Sequence, residues 1–135
     1  MRLRFQRYQL GLMALAMMLG LPAALQAAHP KPLVIPLQCT NGDCPLLRGM
    51  PQTAGMRSGY VRLLTGATIG WHTSGQNEES LVILQGQGQA MIEGRPSMPF
   101  TAPATVYIPP ATRHNIKNTG TDLLQYVYVV ASAKE

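Results

Sequence analysis

The stretch SLVILQGQGQAMIEG, residues 80–94, decides the fold predicted for this chain. It contains two short, largely apolar runs of strand length, and Gly86 stands between them as a turn signal. Neither run sustains the period of an amphipathic helix over several turns. We therefore predict two neighbouring β-strands joined by a tight turn.

The same texture continues on both sides of this stretch, with Gly, Pro or Asn between the runs. The eight candidate strands are GYVRLL (59–64), ATIGW (67–71), SLVILQ (80–85), GQAMIE (88–93), MPF (98–100), ATVYI (104–108), RHNIK (113–117) and LLQYVYVV (123–130). Short strands at this spacing predict an all-β, antiparallel sandwich or closed barrel, because closure removes exposed strand edges. An immunoglobulin-like sandwich is the rival fold, but its disulfide type needs cysteines far apart in sequence.

The first residues of the chain are typical of a targeting segment. Three arginines and no acid precede the apolar run at residues 10–21, and a stretch of small residues follows it. This order predicts a secretory signal peptide over residues 1–28, cleaved near Ala28, and hence a periplasmic or secreted protein. An uncleaved membrane anchor is the alternative, although the run is short for a bilayer.

The charge of the remaining chain excludes one class of partner. After the predicted signal peptide, eight Lys and Arg stand against six Asp and Glu, so the calculated basicity belongs mainly to the targeting segment. No basic run suggests nucleic-acid binding. No second apolar stretch is long enough for stable membrane insertion once the signal is removed.

Residues 29–58 are predicted to form an extended arm and a loop, since they are rich in Pro and Gly. Asn41-Gly42 is a preferred pair for a two-residue hairpin turn, which would place Cys39 and Cys44 opposite each other at a distance that a disulfide accepts. An exported protein permits that bond. A redox-active or metal-binding pair is the alternative, although the spacing is not C-x-x-C.

Two segments carry histidines in patterned surroundings, GWHTSGQNEE (70–79) with Gly86 beyond it, and PPATRHNIKN (109–118). They resemble the two conserved segments of the cupin superfamily, His-x-His, then Glu, then Gly, and Pro-x-Gly-x-x-His-x-x-x-Asn. The matching positions are His72, Glu79, Gly86, Pro109, His114 and Asn118. Two departures stand out, because Ser74 replaces the second His and Ala111 replaces the Gly.

The resemblance implies a jelly-roll β-barrel over residues 59–135 and one divalent metal ion, held by His72, Glu79 and His114. Ser74 or water would take the fourth position. Two imidazoles and a carboxylate suit Fe(II), but Zn, Mn, Ni and Cu are not distinguished. Because adjacent strand residues point to opposite faces, only one of Glu78 and Glu79 can be the ligand, and the spacing to Gly86 in the resembling motif selects Glu79. A degenerate, metal-free cupin is the alternative.

Three further side chains are candidates to bind a substrate, because they lie on predicted strands among apolar neighbours. They are Arg62, Tyr60 and Tyr107. Arg62 would pair with a carboxylate or phosphate, or else extend along the surface into water. The run LLQYVYVV (123–130) is assigned to the core or an oligomer interface, and the resemblance implies a homodimer.

The sequence leaves two functions open. One is a metal-dependent enzyme that acts on a small polar molecule. The other is a non-catalytic module that binds a small ligand or the metal itself. No nucleophile motif and no separate acid–base pair stands outside the predicted metal ligands, which favours binding over metal-independent catalysis. A purely structural barrel would follow if the pocket were filled by side chains.

Overall fold

Nine β-strands and no helix form the part of the chain that the computed structural model describes, residues 29–133. The strands are β1 (Gly42–Arg48), β2 (Arg57–Leu63), β3 (His72–Thr73), β4 (Asn77–Gln85), β5 (Gln87–Ile92), β6 (Met98–Thr101), β7 (Ala104–Ile108), β8 (Arg113–Asn118) and β9 (Leu124–Ser132). None of the described residues belongs to a helix long and apolar enough to cross a membrane. The signal peptide predicted over residues 1–28 lies outside the described residues.

Seven of the eight predicted strands are found, and the prediction of a strand at residues 67–71 is wrong. There the chain makes a single isolated bridge, from Thr68 to Lys117. Gly70 has a φ of 97°, a conformation that interrupts an extended strand. Pairing with β8 resumes two residues later, at His72, in the two-residue strand β3.

The strands form two antiparallel sheets, which confirms the all-β antiparallel prediction. The larger sheet has the order β1-β2-β9-β4-β7 and the smaller one β3-β8-β5-β6. The turn predicted at Gly86 joins β4 of one sheet to β5 of the other, and its φ of 85° favours glycine. A Cβ there would lie 2.7 Å from the carbonyl oxygen of Leu123, so any side chain would clash.

Both sheets direct their apolar side chains into one core. Along each strand, alternate residues face the interior because side chains of a strand alternate between its two faces. The buried cluster contains Val61, Leu63, Leu81, Ile83, Ala90, Val106, Ile108, Ile116, Leu124 and Tyr126. This cluster holds the two sheets together and fills the barrel below the candidate site.

The disulfide predicted between Cys39 and Cys44 is present, with a Cα–Cα distance of 5.7 Å, but the hairpin predicted around it is not. β1 begins only at Gly42 and continues to Arg48, inside the predicted loop, and it pairs with β2. The preceding arm is rich in proline, which cannot donate to a strand ladder. The edge of β2 therefore offers β1 the better partner.

Candidate metal centre

The structure brings the three predicted metal ligands together inside the barrel. His72 of β3 and His114 of β8 are directly paired across the smaller sheet, and Glu79 of β4 reaches them from the larger sheet. One ligand atom from each residue can be chosen so that all three lie within 4.8 Å of one another. The two sheets thus supply two imidazoles and one carboxylate to the same point.

Strand alternation decides which of two adjacent glutamates belongs to this cluster. Glu79 is 8% exposed and faces His114 across the interior, where its Oε2 lies 3.5 Å from the imidazole Nε2. Glu78 faces outward, and its Oε2 accepts a hydrogen bond of 3.0 Å from the hydroxyl of Tyr107. Glu79 is therefore the only one of the two that can serve the cluster.

Backbone carbonyls orient both imidazoles. The Nδ1 of His72 lies 2.9 Å from the carbonyl oxygen of Gly70, and the Nδ1 of His114 lies 3.1 Å from that of Thr112. Because a carbonyl oxygen only accepts, each Nδ1 carries the hydrogen, and in the neutral imidazole each Nε2 keeps its lone pair. The buried Asn115 fixes Gly70 in turn, since its Oδ1 accepts a 3.0 Å hydrogen bond from the Gly70 amide.

This donor set fits a divalent metal. Metal-bound histidines in proteins commonly donate their second ring nitrogen to a carbonyl or carboxylate, as both imidazoles do in this chain. Burial lowers the pKa of His114, but the hydrogen bond and charge of Glu79 and the carbonyl of Thr112 outweigh it, so the pKa is raised overall. A proton and a metal ion therefore compete for the same imidazole.

The hydroxyl of Ser74 is already engaged in hydrogen bonds, and its assignment as a possible fourth ligand stays a prediction. Its hydroxyl donates to the carbonyl oxygen of Pro109 at 2.8 Å and accepts from the amide of Thr112 at 3.0 Å. The side chain is 3% exposed, and these bonds tie the first motif to the loop that precedes His114. In that loop Ala111, which replaces the family's glycine, has a φ of 54°. The serine is a link between the two motifs.

A cavity of about 700 Å³ opens above the cluster. Tyr126 and Tyr128 of β9 line it, and the hydroxyl of Tyr128 donates to Asp43 at 3.3 Å. Burial and the charge of Asp43 raise the pKa of Tyr128 to about 12 and raise that of Tyr126 further. Both phenols are therefore protonated at neutral pH, and the single hydroxyl hydrogen of Tyr128 is directed to Asp43.

Arg62, Tyr60 and Tyr107 do not line this cavity, so their assignment to a substrate site is wrong. The core residues Val61 and Leu63 fix the inward face of β2, so Tyr60 and Arg62, which alternate with them, lie on its outer face. Arg62 donates to the carbonyl oxygens of Cys39, at 2.7 Å, and Thr40, and so holds the disulfide loop on the barrel.

Tyr60 bonds to Gln125, and Tyr107 is more than half exposed. The polar cavity residues that the sequence reasoning missed include Asp43, Arg48, Arg57, Tyr126 and Tyr128. Arg57 and Tyr128 carried a signal, since each shares the alternation of core residues on its own strand.

Residues 59–130 match the family model of the cupin domain. The match covers more than half of the chain and contains both histidine motifs, so the protein belongs to the cupin family.

Solved cupin structures share the fold at low sequence identity. The cupin domain of Cnp3 from Schizosaccharomyces pombe is 22% identical with a TM-score of 0.62, covering 73% of this chain and 69% of that one. A Cupin 2 conserved barrel domain protein from Salinispora arenicola is 22% identical with a TM-score of 0.59. The match covers 78% of this chain and 90% of that one.

An RmlC-like cupin family protein from Methanocaldococcus jannaschii has a double-stranded β-helix fold. It is 18% identical with a TM-score of 0.57, and the match covers 70% of this chain and 86% of that one. No curated protein matches the chain. Identities at this level establish the shared fold and nothing finer.

Proposed function

We propose that the protein binds one divalent metal ion through His72, Glu79 and His114, and binds a small polar molecule in the cavity above it. The observation that carries the proposal is the convergence of three donors, two of them buried, with both imidazole Nδ1 atoms already bonded to carbonyls. A packed, purely structural histidine has no need of a second imidazole and a carboxylate beside it.

A divalent ion in such a set supplies a Lewis acid with open positions for water or a ligand oxygen. The protein's own groups define the rest of the site. Tyr126 and Tyr128 line one wall of the cavity, and Trp71 borders it as an apolar surface. The buried lower wall, which includes Leu81 and Ile116, excludes water from the interior side of the cluster.

A non-catalytic role is the second candidate, and one observation favours it. Apart from the three ligands, the titratable groups along the cavity are Asp43, two arginines and two tyrosines. The pKa values of both phenols are raised far above neutrality, so neither exchanges a proton readily at neutral pH. Any catalysis must then rest on the metal ion, and without a reactive ligand the same site would serve storage or sensing.

We also propose that the protein is exported. The disulfide between Cys39 and Cys44 supports this, because such bonds persist in oxidising compartments. Mass spectrometry of protein recovered from the periplasm, with and without reductant, tests both points. A chain that begins near His29 with no free thiol is expected. Two free thiols, or recovery only in the cytoplasm, would contradict export.

Metal analysis tests the central proposal. Protein purified from the oxidising compartment is stripped with chelator and titrated with Fe(II), Zn, Mn, Ni and Cu in turn. One ion per chain is expected, with affinity lowered at least about 100-fold in His114→Ala. The comparison is valid if His114→Ala keeps the wild-type circular dichroism spectrum. Less than one ion per wild-type chain with every metal would refute the proposal.

A further inference from the structure

Two arginines at the rim of the cavity are not accounted for by a metal site. Arg48 of β1 and Arg57 of β2 are directly paired across the larger sheet, and both line the same cavity as the three metal ligands. Both residues are exposed. The cavity thus has a metal-binding cluster in its wall and a pair of guanidinium groups at its edge.

Neither arginine has an ion-pair partner within residues 29–133. The ion pairs of that part of the chain join Arg113 to Glu93 and His114 to Glu79. Asp43, the remaining acid of the cavity, accepts its hydrogen bond from Tyr128. Like charges directly opposite each other on neighbouring strands destabilise a sheet. An anion bound between the two guanidinium groups would remove that repulsion.

The register of the larger sheet places this pair in line with the metal ligands. Val130 of β9 is paired with Arg57 on one side and with Glu79 on the other. Residues directly opposite in a ladder share a face, so Arg57 and Glu79 both face the interior. Strands lie about 4.8 Å apart, which puts the two Cα atoms about 10 Å from each other. That separation limits a ligand held at both positions to a few carbon atoms.

We propose that Arg48 and Arg57 bind an anionic oxygen group, a carboxylate or a phosphate, of the small molecule whose other end reaches the metal. The inference rests on the proposed metal site and names the class of ligand that the site takes. A planar guanidinium donates two parallel hydrogen bonds to such a group, and two guanidinium groups fix its position. The ligand is therefore an acid with a second oxygen donor, such as a short hydroxy acid or a dicarboxylate.

Calorimetric titrations of five proteins test this: wild type, Arg48→Gln, Arg57→Gln, the double variant and a control variant. Arg95→Gln is the matched control, because Arg95 lies in the turn between β5 and β6 and does not line the cavity. Each protein is titrated first with Zn and then, both metal-loaded and metal-free, with acetate, malonate, succinate, lactate and inorganic phosphate.

We expect unchanged zinc affinity in every variant and binding of at least one two-ended acid by the loaded wild type. Each single arginine variant should weaken that binding about tenfold, and the double variant should abolish it. Arg95→Gln should bind as wild type does. Tighter binding of phosphate than of every carboxylate would assign the site to phosphorylated ligands.

Two results would overturn the inference: no anion binds the wild type, or the double variant binds anions as tightly as Arg95→Gln does. The metal proposal fails separately. If the wild type binds anions but no zinc, and the double variant binds no anions, the arginine site stands and the metal centre does not.

Discussion

Two adjacent carboxylates of β4 lie in opposite environments. Glu79 is buried beside His114, whereas Glu78 faces outward and bonds to the exposed Tyr107. The two side chains are chemically identical, and they differ in environment only because adjacent residues of a strand point to opposite faces. A carboxylate buried away from water needs a cation or a donor close by, while one in water needs neither. The inner face is therefore where a charge has chemical consequences.

The same contrast holds on strand β2 of the same sheet. Arg57 shares its inward face with Val61 and Leu63 and reaches the cavity, whereas Arg62 faces outward and bonds to carbonyls of the disulfide loop. One arginine is left to bind something outside the chain, and the other is used to hold the chain together. Function and structure are divided between the two faces of a single sheet.

The largest effect on stability is expected from truncation of the inner face. Leu81 is 2% exposed and Val82, its neighbour on β4, is 40% exposed. Leu81→Ala should lower the free energy of unfolding by about 3 kcal/mol, because it removes buried methyl groups and leaves a cavity. Val82→Ala should lower it by less than about 1 kcal/mol. Urea unfolding measures both, and equal losses would break the contrast.

Ser74 offers a smaller test that separates a structural link from a ligand. Ser74→Ala removes the hydroxyl bonds to Pro109 and Thr112 and should lower the free energy of unfolding by about 1–2 kcal/mol. Thr73→Ala, at the exposed neighbour, is the matched control and should cost less than about 1 kcal/mol. Metal affinity in Ser74→Ala should stay within about threefold of wild type. A large fall in affinity with unchanged stability would show that Ser74 is a ligand.

The smallest effect on the free energy of unfolding is expected in alkaline solution, from Tyr128. Burial raises the pKa of the Tyr128 hydroxyl from 10 to about 12, so the unfolded chain loses this proton first. The resulting stability is complete below pH 10 and is lost as the pH rises to about 12. In Tyr128→Phe the free energy of unfolding should fall less steeply across that window.

Tyr107→Phe is the control for this alkaline effect. Glu78 raises the pKa of Tyr107 as well, but that hydroxyl lies on the exposed face and is screened by water. Urea unfolding at several pH values from below 10 to about 12 compares both variants with wild type. A steeper fall in Tyr128→Phe than in wild type would show that the sign is wrong.

Most of the fold was predictable because it depends on local patterns. Alternating apolar residues and glycine turns mark seven of the nine strands. β1 was missed because its strand character comes from the edge of β2 rather than from its own composition. β3 was missed because two residues show no period, and its position is set by pairing with β8.

The metal cluster was predictable for a different reason. The motif spacing fixes which residues of each strand face inward, so His72, Glu79 and His114 follow from the sequence once the barrel is assumed. The role of Ser74 did not follow, because its partners are backbone atoms of a loop 35 residues away. Arg62 was assigned to the wrong face of β2 because a single charged residue among apolar neighbours does not show which face of the strand it lies on. Counting from Val61 gives the correct face. The homodimer stays a prediction.

The most direct measurement is the metal affinity of Glu79→Gln against that of Glu78→Gln. Both changes remove one negative charge from adjacent positions of β4, so long-range electrostatics and composition are matched. Glu79→Gln should weaken binding by about 100-fold or more, and Glu78→Gln should stay within about threefold of wild type. Equal affinities in the two variants would contradict the account, since a metal bound at this site must distinguish the inner carboxylate from the outer one.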